Sequence, residues 1–387
     1  MKGMTLRAMT QAVNGIYHGN GEDYDKEITA ITIDSRKVAE GGLFIAIKGE
    51  RSDGHDFIGQ CFEKGAACVI SEKELPDEER SYIQVESSLQ ALKDLALLYR
   101  NNLDVKVVGI TGSVGKTSTK ETISSVLSEK YRVLKTLGNF NNEIGLPLTV
   151  FRLTEDDEVA VLEMGISDFG EMDRLSKIAQ PDICVITNIG FCHLENLGTR
   201  DGILKAKTEI FNHMNPDGIV IVNGDDDKLS TISQVHGKRP LVFGISNKDG
   251  VYADNIKSLG LDGTSFTIHG IKTSDNYSTF DLTVPVPGHH MVYNAMAAAL
   301  VGSVLGLSSI EIERGVMNLK TIAGRNNIIK ENGFTIIDDC YNANPVSMKA
   351  SLDVLDTAIG RKVAILGSMF ELGENEKQMH YDVGMYL

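Results

Sequence analysis

From Val105 onward the chain alternates nearly unbroken apolar runs with helical patterns, and this constrains its fold more than any other feature. VKVVGIT, VAVLEMG, DICVITNIG and GIVIVNG are too uniformly apolar to lie half in water. Strands of this kind, separated by helices, build a parallel sheet covered on both faces, the core of an α/β domain. After Lys116 the residues Ile123, Val126, Leu127 and Lys130 recur at helical spacing, which predicts a helix with one side packed on that sheet.

The 387 residues exceed a single ordinary core, so more than one domain is expected. Residues 1–100 mix short apolar runs (ITAITI, LFIAIKG, AACVIS) with the turn signal Ser52-Asp53-Gly54 and close on an amphipathic stretch, LQALKDLALLYR, which reads as a small α/β domain. Residues 101–317 form the central domain. It closes with the helix MVYNAMAAALVGSVLGL and a second helix opened by a capping box from Ser308 to Glu311. Residues 318–387 start another α/β pattern with FTIIDD and KVAILGS and stop inside a helical stretch, GENEKQMHYDVGMYL. A closed doubly wound domain usually needs ~100 residues or more. The third domain is therefore expected to be incomplete and the chain truncated.

Lys and Arg total 38 against 53 Asp and Glu, a net charge of −15, so the long-range field repels nucleic acid and anionic membranes. An anionic ligand must be held by a local site. The five cysteines are scattered without C-x-x-C spacing, which fits a reducing, cytoplasmic location. The amino-terminal residues carry no signal-peptide pattern, and the apolar stretch from Met291 is interrupted by Asn294 and Ser303, so no membrane insertion is expected.

Thr111-Gly112-Ser113-Val114-Gly115-Lys116-Thr117 lies between a buried strand and a helix. Its glycines let backbone N–H groups turn toward a phosphate, the helix N-terminus adds positive potential, Lys116 neutralises outer phosphates, and Thr117 can ligate Mg²⁺. Ile110 stands where the standard pattern has glycine, so the loop is a variant. ATP is the expected ligand. The loop alone leaves ligase, kinase, motor and switch all open.

Three further residues point to metal and carboxylate chemistry. Glu163 ends the strand VAVLEMG, where the ligands of parallel sheets gather; an isolated strand-end Glu is otherwise simply solvated. His193 follows the next strand, although a loop histidine is more often structural than ligating. Lys207 falls within an apolar stripe of Ile203, Ile210 and Met214, so its amine is expected to be partly desolvated and its pKa lowered. A neutral amine reacts with CO₂ to give a carbamate, a negative oxygen ligand for metal. The common alternative is a lysine snorkelling from the stripe's edge.

TGSVGKTS, KTLGNFNNEIGLPLT, LEMG, TNIGFCHLENLG, AKTEIF, GHHMVYNAMAA, AGRN, DDCYNANPVSM and LGSMFELGE together resemble the Mur ligase family, in the family's order and across residues 34–374. The resemblance implies a three-domain architecture: an N-terminal UDP-sugar-binding domain, a central ATP-binding P-loop domain and a C-terminal Rossmann-like domain. DDCYNANPVSM and GNFNNEIGLPLT resemble the member that joins D-alanyl-D-alanine to UDP-N-acetylmuramoyl-tripeptide through an acyl phosphate. That reaction belongs to peptidoglycan precursor synthesis, and with it to cell-wall biogenesis, cell shape and cell division. The same resemblance implies that Thr111 to Ser118 cradle the nucleotide, with Lys116 on the phosphates and Thr117 and Glu163 on Mg²⁺. His193 and carbamylated Lys207 would sit at a second Mg²⁺. Asn294 would face adenine, Arg325 the phosphates, Asp339 the ribose, and Asn142 the phosphate or the developing intermediate. Ser35, Arg36 and the Asp53-Gly54-His55 turn would bind the UDP-sugar, and Tyr341 and Asn344 would lie at the substrate. A monomer is expected. Met291 and Ser368 depart from the family's usual residues. Two other readings stay open: a Mur-type ligase adding a single amino acid, which YNANP argues against, and a nucleotide-binding protein without catalysis.

Overall fold

The computed structural model describes residues 1–76 and 80–387. The chain separates into two compact units. The first comprises Met1–Val105, Thr136–Glu158 and Lys177–Ala179, and the second Lys106–Lys135, Val159–Ser176 and Gln180–Leu387.

The first unit carries β1 (Ile16–His18), β2 (Ile31–Thr32), β3 (Leu43–Ile45), β4 (Cys68–Ser71) and β5 (Tyr82–Gln84) in the order β1-β5-β4-β3-β2. Strand β1 runs antiparallel to β5, and the other three pairs are parallel. The central strands β3 and β4 are buried along their whole length, as their unbroken apolar runs require. The helix Ser88–Asn101 opens on Ser87, whose side chain accepts the Gln90 N–H, and it turns Leu92, Leu95 and Ala96 inward.

The second unit holds β6 (Lys106–Thr111), β7 (Val133–Lys135), β8 (Val159–Glu163), β9 (Ile183–Ile186), β10 (Ile219–Asn223), β11 (Leu241–Gly244), β12 (Val251–Ser258), β13 (Thr264–His269) and β14 (Thr279–Val284). They form one sheet in the order β14-β13-β12-β11-β10-β9-β6-β8-β7. From β7 to β12 every pair is parallel. Strands β13 and β14 add an antiparallel edge, and β13 alternates buried and partly exposed residues as a one-sided strand does. The chain leaves β6 toward β8 and β7 on one side and then crosses to β9 on the other, so β6 is the switch point of the sheet, where ligands of such folds bind.

Helices Lys116–Leu127 and His290–Val304 pack into the core with the sheet. The second is apolar nearly all round because it is buried nearly all round, from Met291 to Gly302. Among the described residues no helix is long and apolar enough to cross a membrane. Helix Ser309–Met317 opens with the expected Ser308–Glu311 capping box.

Two local expectations need correction. Lys130 lies past the end of the helix, and its amine bonds the Gly306 carbonyl instead of extending the apolar face. In the last segment FTIIDD becomes β16 (Phe334–Asp338), paired antiparallel with β15 (Asn327–Glu331), while KVAILGS forms no strand. Val363 and Ile365 are exposed, without the flanking strands that a buried β-run needs. The helices Pro345–Asp356 and Glu376–Tyr386 complete this segment around a small cluster of Met348, Met369, Leu372 and Val383.

Candidate active site

Strands β8, β6 and β9 are neighbours, so the loops at their carboxyl ends meet on one edge of the sheet. Thr111 ends β6. Gly112 follows at φ +151°, and a Cβ there would fall 1.9 Å from Thr187 Oγ1, so only glycine fits. Gly115 at φ +81° turns the chain into the helix that starts at Lys116, and no acidic residue occupies that helix's first turn to cancel its positive end.

The segment after β9 holds the loop between them. Asn188 accepts the Val114 N–H at 2.9 Å and donates to the Val114 carbonyl at 3.0 Å, while Thr187 Oγ1 donates to the same carbonyl at 2.7 Å. The Ser113 N–H reaches the Asn188 carbonyl, and Ser113 Oγ accepts from Gly190 N–H. Lys116 folds back, its amine 2.8 Å from the Gly112 carbonyl, across the loop it would serve.

Thr117 Oγ1 and Glu163 Oε1 lie 3.2 Å apart, and Glu163 is buried at the end of β8. Lys120, also buried, pairs with Glu121 at 2.9 Å and stands 4.0 Å from Glu163 Oε2. His193 sits at φ +50° with Nδ1 2.6 Å from Glu371 Oε2. Burial lowers its pKa, Lys116 and, when protonated, Lys207 add to that, and Glu371 opposes it.

Lys207 is 0% exposed, and its amine has no hydrogen-bond partner. Burial first, and the Lys116 cation second, push its pKa down to about 7. The amine is therefore substantially neutral at neutral pH and able to act as a nucleophile toward CO₂. The structure thus brings Lys116, Thr117, Glu163, His193 and Lys207 to the ends of three adjacent strands or within electrostatic reach of one another. Among the described residues no three His, Cys, Asp or Glu side chains gather as a metal site. Thr117 and Glu163 would supply two oxygens to a Mg²⁺ ion, which typically keeps waters and takes substrate phosphates as further ligands.

Farther along the same unit, Asn294 is buried. Its Oδ1 accepts from Thr119 Oγ1 at 2.9 Å, and its Nδ2 faces Met291 Sδ at 3.2 Å. The Arg325 guanidinium lies 4.1 Å from the centroid of the Tyr341 ring. Asp339 accepts from the Asn326 N–H and from Ser351 Oγ. Asn344 caps the helix Pro345–Asp356 by accepting the N–H groups of Val346 and Ser347. Ser118, Met291 and Arg325 line one cavity at the start of the Lys116–Leu127 helix.

In the first unit Ser35 begins a short 3₁₀ turn capped by Asp34, and Arg36 forms a two-pronged ion pair with Asp34 while remaining largely exposed. Asp53 accepts from the His55 N–H, His55 Nδ1 and Lys73. His55 Nε2 accepts the Glu72 N–H, so its proton is on Nδ1, toward Asp53. Lys73, together with the His55 hydrogen bonds, holds the Asp53 carboxyl well below the usual range. Gly54 packs on Ile47, where a Cβ would come within 2.7 Å of the backbone nitrogen. Asn142, also in this unit, accepts the N–H groups of Ile144 and Gly145 at the start of the helix Gly145–Val150.

Three family models match the chain: the Mur ligase family catalytic domain over residues 27–100, the Mur ligase middle domain over 110–302, and the Mur ligase glutamate ligase domain over 324–387. The UDP-N-acetylmuramoyl-tripeptide--D-alanyl-D-alanine ligase of Bacillus subtilis is 41% identical over 385 residues, 98% of this chain and 82% of that protein. This chain belongs to the Mur ligase family. Among solved structures, MurF from Acinetobacter baumannii superposes with a TM-score of 0.89 at 36% identity, covering 98% of this chain and 82% of that one. MurF ligase from Thermotoga maritima, solved in complex with ADP, does so at 0.83 and 34% identity, covering 92% and 82%.

Within this Mur ligase, sequence reading missed four residues that shape the site. Asn188 and Thr187 stood in the TNIG stretch after an apolar strand, but nothing in their spacing tells that they brace the phosphate loop. Lys120 lies one helical turn beyond Lys116, so its place on the same side of the helix was readable. Its contact with Glu163 was not, because that contact joins the helix to the end of β8, 43 residues on in the chain. Glu371, the partner of His193, is set by packing between segments far apart in the chain.

Proposed function

We propose that this chain uses ATP to join D-alanyl-D-alanine to UDP-N-acetylmuramoyl-tripeptide in peptidoglycan precursor synthesis; its relatives from Bacillus subtilis and Escherichia coli are named as ligases of those two substrates. The observation that carries this reading is a phosphate loop at the switch point of the sheet, with a buried carboxylate on one side and a buried, unpaired amine on the other. A carboxylate resists amines because its carbonyl is electron-rich and its oxygen leaves poorly. Transfer of a phosphoryl group from ATP cures both defects: the acid's oxygen attacks the terminal phosphorus, ADP departs, and the acyl phosphate reacts with the amine to give an amide and phosphate.

The residues fit their parts in this sequence. The N–H groups of the Gly112 to Thr117 turn and the helix N-terminus receive the phosphates, and Lys116 swings from the Gly112 carbonyl to neutralise transferring charge. Thr117 and Glu163 would hold Mg²⁺, with His193 and Lys207, the latter as its carbamate, at a second ion; bound metal supplies Lewis-acid stabilisation of phosphoryl charge. The orphaned Lys207 amine supports this assignment, because a buried nitrogen without a partner is what a missing ligand leaves behind. Asp339 and Arg325 are assigned to ribose and phosphate, Asn294 to the adenine side, and Asn142 to the phosphate or intermediate. Ser35, Arg36, Asp53, Gly54 and His55 are assigned to the UDP-sugar, and Tyr341 and Asn344 to the incoming substrate. We assign residues 1–100, 101–317 and 318–387 to UDP-sugar binding, ATP binding and the C-terminal domain, in a cytoplasmic monomer.

The acceptor specificity is tested by offering the enzyme UDP-N-acetylmuramoyl-tripeptide, ATP and Mg²⁺ with either D-alanyl-D-alanine or single amino acids. Phosphate release with the dipeptide alone is expected. Release that responds only to a single amino acid overturns the substrate assignment.

A further inference from the structure

Lys120 holds a charge where charge is costly. It is 1% exposed and lies on the helix that begins at Lys116, one turn beyond the phosphate-loop lysine. A cation taken out of water persists only among compensating groups, and two carboxylates supply them: Glu121 Oε1 at 2.9 Å and Glu163 Oε2 at 4.0 Å. Glu121 is anchored in turn, because its other oxygen, Oε2, pairs with Lys135 at the end of β7. Lys135, Glu121, Lys120 and Glu163 thus form a row of alternating charge that runs from the end of β7 to the end of β8, beside the phosphate loop.

The row ends on a carboxylate whose two oxygens have different neighbours. Glu163 Oε1 lies 3.2 Å from Thr117 Oγ1, while Oε2 has the Lys120 ammonium as its cation. At 4.0 Å that pair is too long for a direct hydrogen bond. The hold is electrostatic, and burial of both side chains keeps water from weakening it. Thr117 and Glu163 are the pair assigned above to Mg²⁺, an ion that demands near-ideal ligand geometry. Groups that orient a metal's ligands matter nearly as much as the ligands themselves.

We propose that Lys120 is a positioning residue for the metal: anchored by Glu121, its ammonium holds Glu163 Oε2 and leaves Oε1, beside Thr117, as the oxygen presented to Mg²⁺. The inference rests on the nucleotide and metal reading above and extends it to a residue given no role there. It predicts the opposite of a plain charge effect. A buried cation repels a nearby divalent ion, so removing Lys120 would tighten metal binding if charge alone counted. If orientation governs, its removal weakens metal binding.

The test is calorimetric binding of ADP to the full chain, once in a chelator and once in saturating Mg²⁺. The ratio of the two affinities is the gain from metal. Wild type should gain about tenfold or more, and Lys120→Met less than about threefold, a loss of the order seen when a residue supporting a metal ligand is removed. Affinity for ADP in the chelator should stay within about threefold of wild type. A merely structural role would lower that affinity too and leave the gain from metal unchanged. Glu121→Gln loosens the anchor and keeps Lys120 and Glu163 charged; it should show a smaller loss in the same direction, and it carries the test if Lys120→Met does not fold. A gain from metal at or above the wild-type value in the folded variants overturns the proposal. If wild type binds no ADP, or gains nothing from Mg²⁺, the nucleotide and metal reading itself fails; if wild type gains and the variants gain as much, only the role of Lys120 fails.

Discussion

The polar residues nominated in the first unit and those in the second are treated differently by the fold. Asp53 and His55 are saturated: each oxygen or ring nitrogen has a neighbour, and Gly54 between them lies against the Ile47 backbone. In the second unit the Lys207 amine and Asn326 Oδ1 are buried with nothing to bond. A saturated cluster has its geometry set by the protein itself, whereas an unsatisfied buried group is tolerated where a ligand completes it. Among the nominated residues this sets Lys207 apart from the Asp53-Gly54-His55 turn, although His18 Nε2 and Ser88 Oγ of the first unit are also buried without a partner. Saturation gives the Asp53-Gly54-His55 turn a structural duty whatever it also binds.

The contrast breaks most sharply at the phosphate loop. Lys116→Ala should lower phosphate release by about 10²–10³ or more, as loss of one positioned charge-stabilising donor does, with little change in melting temperature because the side chain bonds only its own loop. Wild-type turnover in that variant would remove Lys116 from the mechanism.

Lys207 sharpens the comparison through pH. Its amine titrates at about 7 in the folded protein and at about 10.5 in an unfolded chain. Below pH 7 both states are protonated, and the fold bears the full penalty of a buried cation. Between pH 7 and 10.5 the unfolded state holds more protons, so stability rises with pH and the penalty disappears above that window. In CO₂-free buffer Lys207→Met should therefore melt higher than wild type at pH 6, with the gap closing toward pH 10, while losing ligase activity. A variant that melts lower at every pH would mean that the lysine is structural.

The smallest effect belongs to the first unit. Gly54→Ala should destabilise by about 1–3 kcal/mol, the usual range for overpacking a tight site, visible as a lower midpoint in urea. Unchanged stability would mean that the loop yields and that the saturated turn is softer than its contacts imply.

Much of this was legible in the sequence because it is local. The phosphate loop is seven consecutive residues, the buried strands declare themselves by uninterrupted apolar runs, and the burial of Lys207 follows from its place in the stripe of Ile203, Ile210 and Met214. What escaped depends on distant partners. Nothing near Asn188 announces that it will grip Val114, and Asn326 is singled out only by Pro287 and Asp339 arriving from other segments. KVAILGS misled for the complementary reason: an apolar run reads as a strand, but it becomes one only when neighbouring strands flank it, and Val363 and Ile365 have none among the described residues.

The central claim is that the acid is activated by phosphoryl transfer at this loop. It is tested most directly by supplying UDP-N-acetylmuramoyl-tripeptide with heavy oxygen in its terminal carboxylate, together with ATP, Mg²⁺ and D-alanyl-D-alanine, and weighing the phosphate released. Passage through an acyl phosphate predicts one heavy oxygen in each phosphate and one kept in the new amide. Phosphate without label, or label appearing in AMP, would contradict the account.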